Sequence, residues 1–344
     1  MFVAEEMRRF VGPKSADDMA KYLDEVTEAT KIVKITNPIM IRLDERGKLA
    51  GKYTMTFAAA KEYGSRVANH FGSSLLELAA EAKNADDISQ IAEGANTLAG
   101  VSYDRFESWR WVIDTRKNTV VGLLGPRYRV TTNSSFWAGI RRTCLTLADK
   151  PQLFTALVSN RNMDVVMAGS DRVTIGSSTF ARGMLAQNAE TSGRAVRASN
   201  ALIAVNDGSW ACDNFYPDTR IPHLRGRKFD MKMAQIYARL TARRIPDEEL
   251  QKSWAIASAT AMFRQKLSQE ENKKRLLEFL KGKGISNSDA AAVAANVIAV
   301  RKNPTTIDLF RVLSRRASGR NDINAVRCRQ TAYELCFMKK VKNG

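Results

Sequence analysis

The chain has 344 residues, 44% of them hydrophobic, which is enough to bury the core of one large globular domain or two ordinary ones. Lys and Arg number 54 against 36 Asp and Glu, a formal net charge of +18, so a polyanion is the default partner. The first dozen residues lack an unbroken apolar run, and the longest small-apolar stretch, 290–300, is shorter than the roughly 20 residues of a spanning helix. We therefore expect a cytoplasmic protein with no secretory signal, no membrane anchor and no membrane partner.

In the N-terminal region, residues 1–108, the sequence pattern predicts a mixture of helices and a hairpin. Residues 15–31 begin with Ser15 as a cap, carry acids in the first turn and repeat apolar residues at helical spacing. Residues 31–59 are typical of two strands paired around a turn, and 75–98 is rich in Ala, Leu and Glu, which favours a helix.

The middle region, residues 109–228, has the period-two pattern of a sheet. Trp109, Trp111 and Ile113 alternate onto one strand face, and a TRKN turn leads into a second strand. The two tryptophans fit either a core position or a surface on which bases stack. Further strand patterns occupy four ranges: 153–158, 163–168, 172–175 and 194–205.

The last region, residues 229–344, changes to successive helical patterns with recognisable caps and stops. These patterns occupy the ranges 231–245, 247–267, 270–284, 287–303, 305–319 and 321–340. Helices follow the strands rather than alternating with them, which indicates an α+β fold. We expect a central, largely antiparallel sheet with N-terminal helices and an all-helical C-terminal third.

The positive charge is concentrated in that last third. Residues 225–344 contain 26 basic and 11 acidic residues, a net of +15, and residues 1–224 contain 28 basic and 25 acidic residues, a net of +3. Such a concentrated excess exceeds what solubility alone requires. Nucleic acid is therefore the first expectation for a partner, and an acidic protein is the second.

A rigid, basic and aromatic step follows the second strand of the middle region. Gly125 and Pro126 end the apolar run, and Arg127, Tyr128 and Arg129 come directly after them. Arginine pairs with phosphate and stacks on bases, and tyrosine also stacks, so the step fits a nucleic-acid contact. It equally fits an edge strand guarded by charge, with Tyr128 in the core.

Other basic residues are candidates for the same role. Arg194 and Arg197 follow a glycine at the start of a predicted strand, where exposed turn cations without a ligand are the ordinary alternative. The candidates in the helical third are Lys273, Lys274, Arg275, Arg315 and Arg316. Taken singly, each of these clusters is equally typical of a solvated helix face or of a helix end that favours cations.

Three segments, 123–133, 193–215 and 303–319, resemble a family of phage and plasmid-like proteins of unknown function. Its members show a Gly-x-x-Tyr step ahead of an Asn, a strand ending in a Cys-x-Asn turn, and a late helix opening on Thr. The matching positions, within roughly residues 115–320, are Gly125, Tyr128, Asn133, Cys212, Asn214 and Thr306. Asp213 and Ile307 depart from the pattern. The resemblance implies a mobile-element setting and no assigned chemistry.

Catalytic signals are few, and we expect neither an enzyme nor a cofactor. The two histidines are His70 and His223, and no GxSxG, HExxH, complete phosphate loop or GxGxxG motif is present. Cys212 and His223 are eleven positions apart, but further soft ligands at metal spacing are missing, so a buried thiol is the simpler interpretation and no metal is expected.

Two hypotheses follow from these patterns. The first is a nucleic-acid-binding protein of a phage or mobile element, with single-stranded DNA favoured, that acts in recombination or replication. Repeated subunits along a strand, as a homo-oligomer, would promote annealing. The alternative is a phage structural or host-interaction protein whose basic surface binds an acidic protein. A nuclease is the least supported class, because it requires carboxylates that converge on a metal.

Overall fold

The computed structural model describes sixteen ranges: 6–42, 44, 48–56, 59–60, 62–63, 96–97, 106–126, 128, 130–159, 161–175, 178–191, 195–221, 229–263, 267–300, 303–320 and 322–337. Its strands are β1 (Met7–Val11), β2 (Thr30–Lys34), β3 (Thr54–Met55), β4 (Arg110–Asp114), β5 (Thr119–Leu124), β6 (Gln152–Ser159), β7 (Asn162–Ile175), β8 (Ser178–Ala189), β9 (Val196–Ala204), β10 (Trp210–Cys212) and β11 (Arg220–Ile221). Its helices are α1 (Ala16–Glu28), α2 (Asn133–Thr146), α3 (Phe229–Ala242), α4 (Asp247–Ala259), α5 (Gln269–Gly282), α6 (Asn287–Val300), α7 (Thr306–Ala317) and α8 (Ile323–Phe337). The predicted α+β class, with helices at the C-terminus, is confirmed.

The larger sheet is antiparallel, with the strand order β1-β6-β7-β8-β9-β10 and with β11 paired to β9. The sheet curls, and this brings the β9–β10 turn close to β6: a Cβ placed on Gly208 in that turn would lie 4.0 Å from the ring of Phe154. The concave face encloses a cluster of buried apolar side chains that includes Val166, Leu185 and Ile203.

The other face of this sheet is covered by two groups of helices. Phe180, Met184 and Ala186 alternate onto that face along β8. Phe180 packs against the cluster formed by α4–α8, whereas Met184 and Ala186 pack against α1, α2 and α3. Strand β8 thus contacts both groups of helices, and the C-terminal helices share a core with the sheet.

The smaller sheet has the order β2-β4-β5-β3. β4 and β5 form the predicted hairpin. Of the two interpretations of the tryptophans, the structure supports the core position: Trp111 is fully buried, and Trp109 is half-buried against the same cluster. The pairing predicted within residues 31–59 is wrong. β2 pairs with β4 and β3 pairs with β5 in parallel, so the two segments join opposite sides of the hairpin instead of each other.

Among the described residues, no helix is long and apolar enough to cross a membrane. All four cysteines are buried and unpaired. The predicted helix at 75–98 lies outside the described residues except for 96–97, which are helical.

Candidate nucleic-acid interface

Of the basic and aromatic step, the structure describes Tyr128, whereas Arg127 and Arg129 lie outside the described residues, as does Arg194. The Tyr128 ring packs against a buried cluster on β4 and β5. Its hydroxyl donates to the carbonyl of Ala189 at 3.1 Å and to that of Thr191 at 2.8 Å. Burial raises its pKa above the usual range. Tyr128 therefore serves the core, and a base-stacking role for its ring is not supported by this placement.

Asn133 of the family-like pattern also has a structural role. Its backbone N–H donates to the carboxylate of Glu190, and its side chain donates to the Ser159 carbonyl at 3.3 Å and accepts from Asn188 at 2.8 Å. Glu190 is 1% exposed, and burial raises its pKa to about 7. Together with Tyr128, these contacts tie the start of α2 to the end of β8.

The candidates of the helical third do not converge on one surface contact. Arg316 donates to the buried carboxylate of Asp289 at 2.7 Å, and Arg320 donates to the same carboxylate at 2.7 and 2.9 Å. Arg316 thus stabilises the bundle, and the neighbouring Arg315 is exposed. On α5, Lys273 lies 3.8 Å from Glu270. The next two residues, Lys274 and Arg275, are exposed.

The described helices carry only part of the positive charge predicted for this third. Residues 229–337 within the described ranges contain 16 basic and 11 acidic residues. The other ten basic residues, with no acidic residue beside them, fall in the segments 222–228, 264–266, 301–302 and 338–344, outside the described residues. The helix surfaces themselves are therefore closer to charge balance than the sequence totals indicate.

The described residues bring arginines and aromatic rings together at the end of the larger sheet where β9 begins. We call this surface the arginine–aromatic turn; it consists of Arg197, Phe215, Tyr216, Arg220, Arg239 and Arg243. The Arg197 guanidinium lies over the Phe215 ring, 4.1 Å from its centroid, and the Arg243 guanidinium lies 4.5 Å from the centroid of Tyr216. Both rings are half-buried, and Arg220, Arg239 and Arg243 are exposed.

Two of these arginines are direct neighbours across the sheet. Arg220 on β11 is the antiparallel partner of Arg197 on β9, so their side chains leave the same face. Like charges directly opposite each other destabilise a sheet. The Nε of Arg197 donates to the Gln187 side chain at 2.7 Å, and Gln187 in turn donates to the buried Asp164 carboxylate at 2.8 Å. Arg220 is the exposed member of this pair, so an anion can reach its guanidinium from solvent.

Local hydrogen bonds hold the turn in place. The Asp213 carboxylate accepts from the Asn214 backbone N–H at 2.7 Å and from the Tyr216 hydroxyl at 3.2 Å. Thr219 is fully buried, and its hydroxyl donates to the Tyr216 carbonyl at 2.9 Å. The aromatic pair is therefore fixed before any ligand arrives, which reduces the entropy cost of binding.

One acidic residue lies among the arginines. Asp218 accepts two hydrogen bonds from Arg243, both at 3.0 Å, and its backbone carbonyl accepts from Arg239 at 2.7 Å. The guanidinium of Arg243 holds the pKa of the Asp218 carboxyl below its usual range. A phosphate would compete with this exposed carboxylate for the same arginine fork.

Of this surface, only Arg197 was among the residues predicted from the sequence. Phe215 and Tyr216 stand in the stretch NFYPDTR directly after a strand, where an aromatic pair followed by an arginine was the available signal. Arg239 on α3 and Arg243 directly after α3 come more than twenty positions later, and only the fold brings them to the turn.

Comparison with family models, with curated proteins and with solved structures gives no match. The surface is therefore interpreted from its own geometry, and the resemblance to phage and plasmid-like proteins stays a prediction. Within the described part of the chain, no group of three or more His, Cys, Asp or Glu residues is placed to hold a metal ion. Cys212 is fully buried, and burial raises the pKa of its thiol to about 12, whereas His223 lies outside the described residues.

Proposed function

We propose that this protein binds single-stranded nucleic acid, with single-stranded DNA favoured, through the arginine–aromatic turn. In a phage or mobile element, such binding would serve recombination or replication, with several copies along one strand. The observation that carries the proposal is the like-charge pair Arg197 and Arg220, set beside two arginine–aromatic stacks on one exposed turn. The net charge of +18 supports it, because a positive field attracts a polyanion.

In the proposed mode, phosphates bind to the exposed guanidinium groups, and bases stack on the accessible parts of Phe215 and Tyr216. Stacking needs only a flat ring, so it tolerates any base sequence. It also needs unpaired bases, which a duplex does not present, and this favours single strands. Phosphate replaces Asp218 on Arg243, so the ion pair in the free protein gives way to one with the ligand.

The proposal is tested with the charge-reversal variant Arg220→Glu. It places opposite charges on the paired positions 197 and 220, so stability is expected to stay equal or to rise. Affinity for a labelled single-stranded oligonucleotide, measured by fluorescence anisotropy, is expected to fall about tenfold, and the salt slope is expected to shrink by about 0.7 per lost phosphate contact. If Arg220 had only a structural role, the loss of oligonucleotide affinity would come with a loss of stability.

The matched control is Lys14→Glu, which makes the same charge change at an exposed residue before α1. It is expected to leave the affinity within about twofold, since Lys14 follows β1, four strands from β9 in the sheet, and salt screens exposed charges beyond about 10 Å at 0.1 M. Equal losses for Arg220→Glu and Lys14→Glu would assign binding to net charge and remove the arginine–aromatic turn from it.

Salt and strand type complete the test for the wild-type protein. If about six phosphates are contacted, a few-fold rise in salt is expected to weaken binding roughly tenfold or more. The matching duplex is expected to bind less tightly than the single strand. Affinity that ignores salt, or no binding to either oligonucleotide at low salt, would overturn the proposal.

A further inference from the structure

A second surface, independent of the arginine–aromatic turn, lies between α4 and α5. It is a groove of about 630 Å³, which we call the α4–α5 groove. Its apolar lining includes Ile256, Ala257, Met262, Leu276, Phe279 and Leu335. The size is that of a typical pocket for a few side chains of a ligand.

The walls of the groove leave large apolar side chains in water. Ile256 is 67% exposed and Phe279 is 37% exposed. On α4 the lining positions are 253, 256, 257 and 260, and on α5 they are 272, 275, 276 and 279. Both walls therefore follow helical spacing, and the groove runs between two helices. An apolar surface of this shape is typical of sites that receive the apolar face of an amphipathic helix.

Charge restricts what this helix can be. Among the described residues that line the groove, Arg275 is the one charged side chain, and it stands one turn before Phe279 on α5. Lys252 is exposed one turn before Ile256 on α4. A partner that covers the groove without a carboxylate would bring the Arg275 guanidinium out of water unpaired, which is costly.

We propose that the α4–α5 groove binds an acidic amphipathic helix of another protein. Its apolar side chains enter between Ile256 and Phe279, and a carboxylate pairs with Arg275. Arg275 then belongs to a protein contact instead of the nucleic-acid contact predicted from the sequence. The inference does not rest on the proposed nucleic-acid function, because it uses different residues on different helices.

The test starts from a displayed library of random 16-residue peptides selected on the full-length protein. The Ile256→Glu variant serves for counter-selection, since a residue that is 67% exposed tolerates a polar substitution. The expected peptides combine apolar residues at helical spacing with Asp or Glu. Their affinity is expected to fall at least about tenfold on Phe279→Ala and on Arg275→Glu, as for truncation of a central anchor.

The control variant is Leu145→Ala on α2, which removes an exposed apolar side chain, 73% accessible, from outside the groove. It is expected to leave peptide affinity unchanged, and circular dichroism of each variant checks the fold. Selected peptides without acidic residues, or peptides insensitive to Arg275→Glu, would overturn the acidic partner.

Two other occupants are separated by further measurements. Sedimentation that shows a wild-type dimer, with Ile256→Glu monomeric, would assign the groove to a second copy of the chain and overturn the proposal. Loss of oligonucleotide binding in Phe279→Ala would assign it to nucleic acid, with the same consequence. Unchanged oligonucleotide binding in a monomeric protein agrees with the acidic helix.

Discussion

The buried carboxyl of Glu190 makes the stability of the fold depend on pH. Its pKa is raised from 4.5 to about 7 by burial, so protonation is favoured in the folded state. This contribution to stability is fully present below pH 4.5 and is lost as the pH rises through about 7. We predict that Glu190→Gln is more stable than wild type by about 3 kcal/mol at pH 8, and that the difference falls below about 1 kcal/mol near pH 5.

Urea unfolding at several pH values between 5 and 8 measures this difference. Glu278→Gln, on an exposed face of α5, is the control and is expected to show no such trend. A constant difference between Glu190→Gln and wild type across the range would contradict the prediction. It would mean that the guanidinium of Arg161, which donates to Thr191 next to Glu190, compensates the charge of Glu190.

The carboxylate of Asp289 has the opposite behaviour. Hydrogen bonds from Arg320 and Arg316 hold its pKa well below the usual value of 3.8. Its contribution is therefore present above pH 3.8 and is lost as the pH falls further. We predict that Asp289→Asn costs roughly 2 kcal/mol at pH 7, because both arginines lose a charged acceptor. Thermal unfolding should show the gap closing in acid, and a gap that widens there would contradict it.

At the scale of elements, the close approach of the central strands of the larger sheet depends on Gly183. A Cβ at this position would lie 2.3 Å from the Met167 carbonyl oxygen on β7 and 3.0 Å from Ile203 Cδ1 on β9. We predict that Gly183→Ala costs about 3 kcal/mol, because the backbone of the paired strand must shift. Gly282→Ala at the end of α5 is the control, since its Cβ would meet no atom within 4 Å. The control is expected to unfold at the same urea concentration or slightly above that of wild type.

The elements that were predicted are those whose patterns are local. Helices α3 to α8 carry apolar repeats with caps, and the β4–β5 hairpin carries Trp109, Trp111 and Ile113 at alternate positions ahead of a TRKN turn. β8 was missed because STFARGMLAQNA has no alternation, and both of its faces are buried. α2 was missed because its sequence, NSSFWAGIRRTCLT, contains β-branched and aromatic residues, and its packing against the sheet outweighs propensity. The helix predicted over 247–267 ends earlier than predicted, because the backbone becomes extended at Thr260 directly after α4.

At the scale of the whole molecule, the sheet and the helical third share one core. Phe180 on β8 contacts the ring of Trp254 at 4.8 Å between centroids and that of Phe337 at 6.1 Å. We predict that a fragment of residues 229–344 does not reach the native packing by itself. Trp254 is its single tryptophan, so its fluorescence should resemble that of an exposed indole. A blue-shifted, cooperatively unfolding fragment would show that the sheet is dispensable.

The candidate site could be predicted only in part, because it depends on contacts between distant parts of the chain. Net charge and the choice of a polyanion follow from composition, and Arg197 follows from its place at a strand start. The meeting of Arg220, Phe215 and Arg243 depends on which strand pairs with β9 and where α3 lies, and these are long-range choices. Tyr128 is a second case, since the sequence left both a stacking role and a core position open, and its hydrogen bonds to β8 and the residues after it place it in the core.

The burial of all four thiols has a practical consequence for these experiments. The pKa of Cys144 and of Cys212 is raised to about 12, that of Cys328 to about 11, and that of Cys336 further still. Since thiolate is the form that reacts, we expect the native protein to resist alkylation and oxidation. A cysteine introduced at exposed Leu145 would then be the one site that a maleimide dye labels. Binding of an oligonucleotide could be followed with this dye while the four native cysteines stay unmodified.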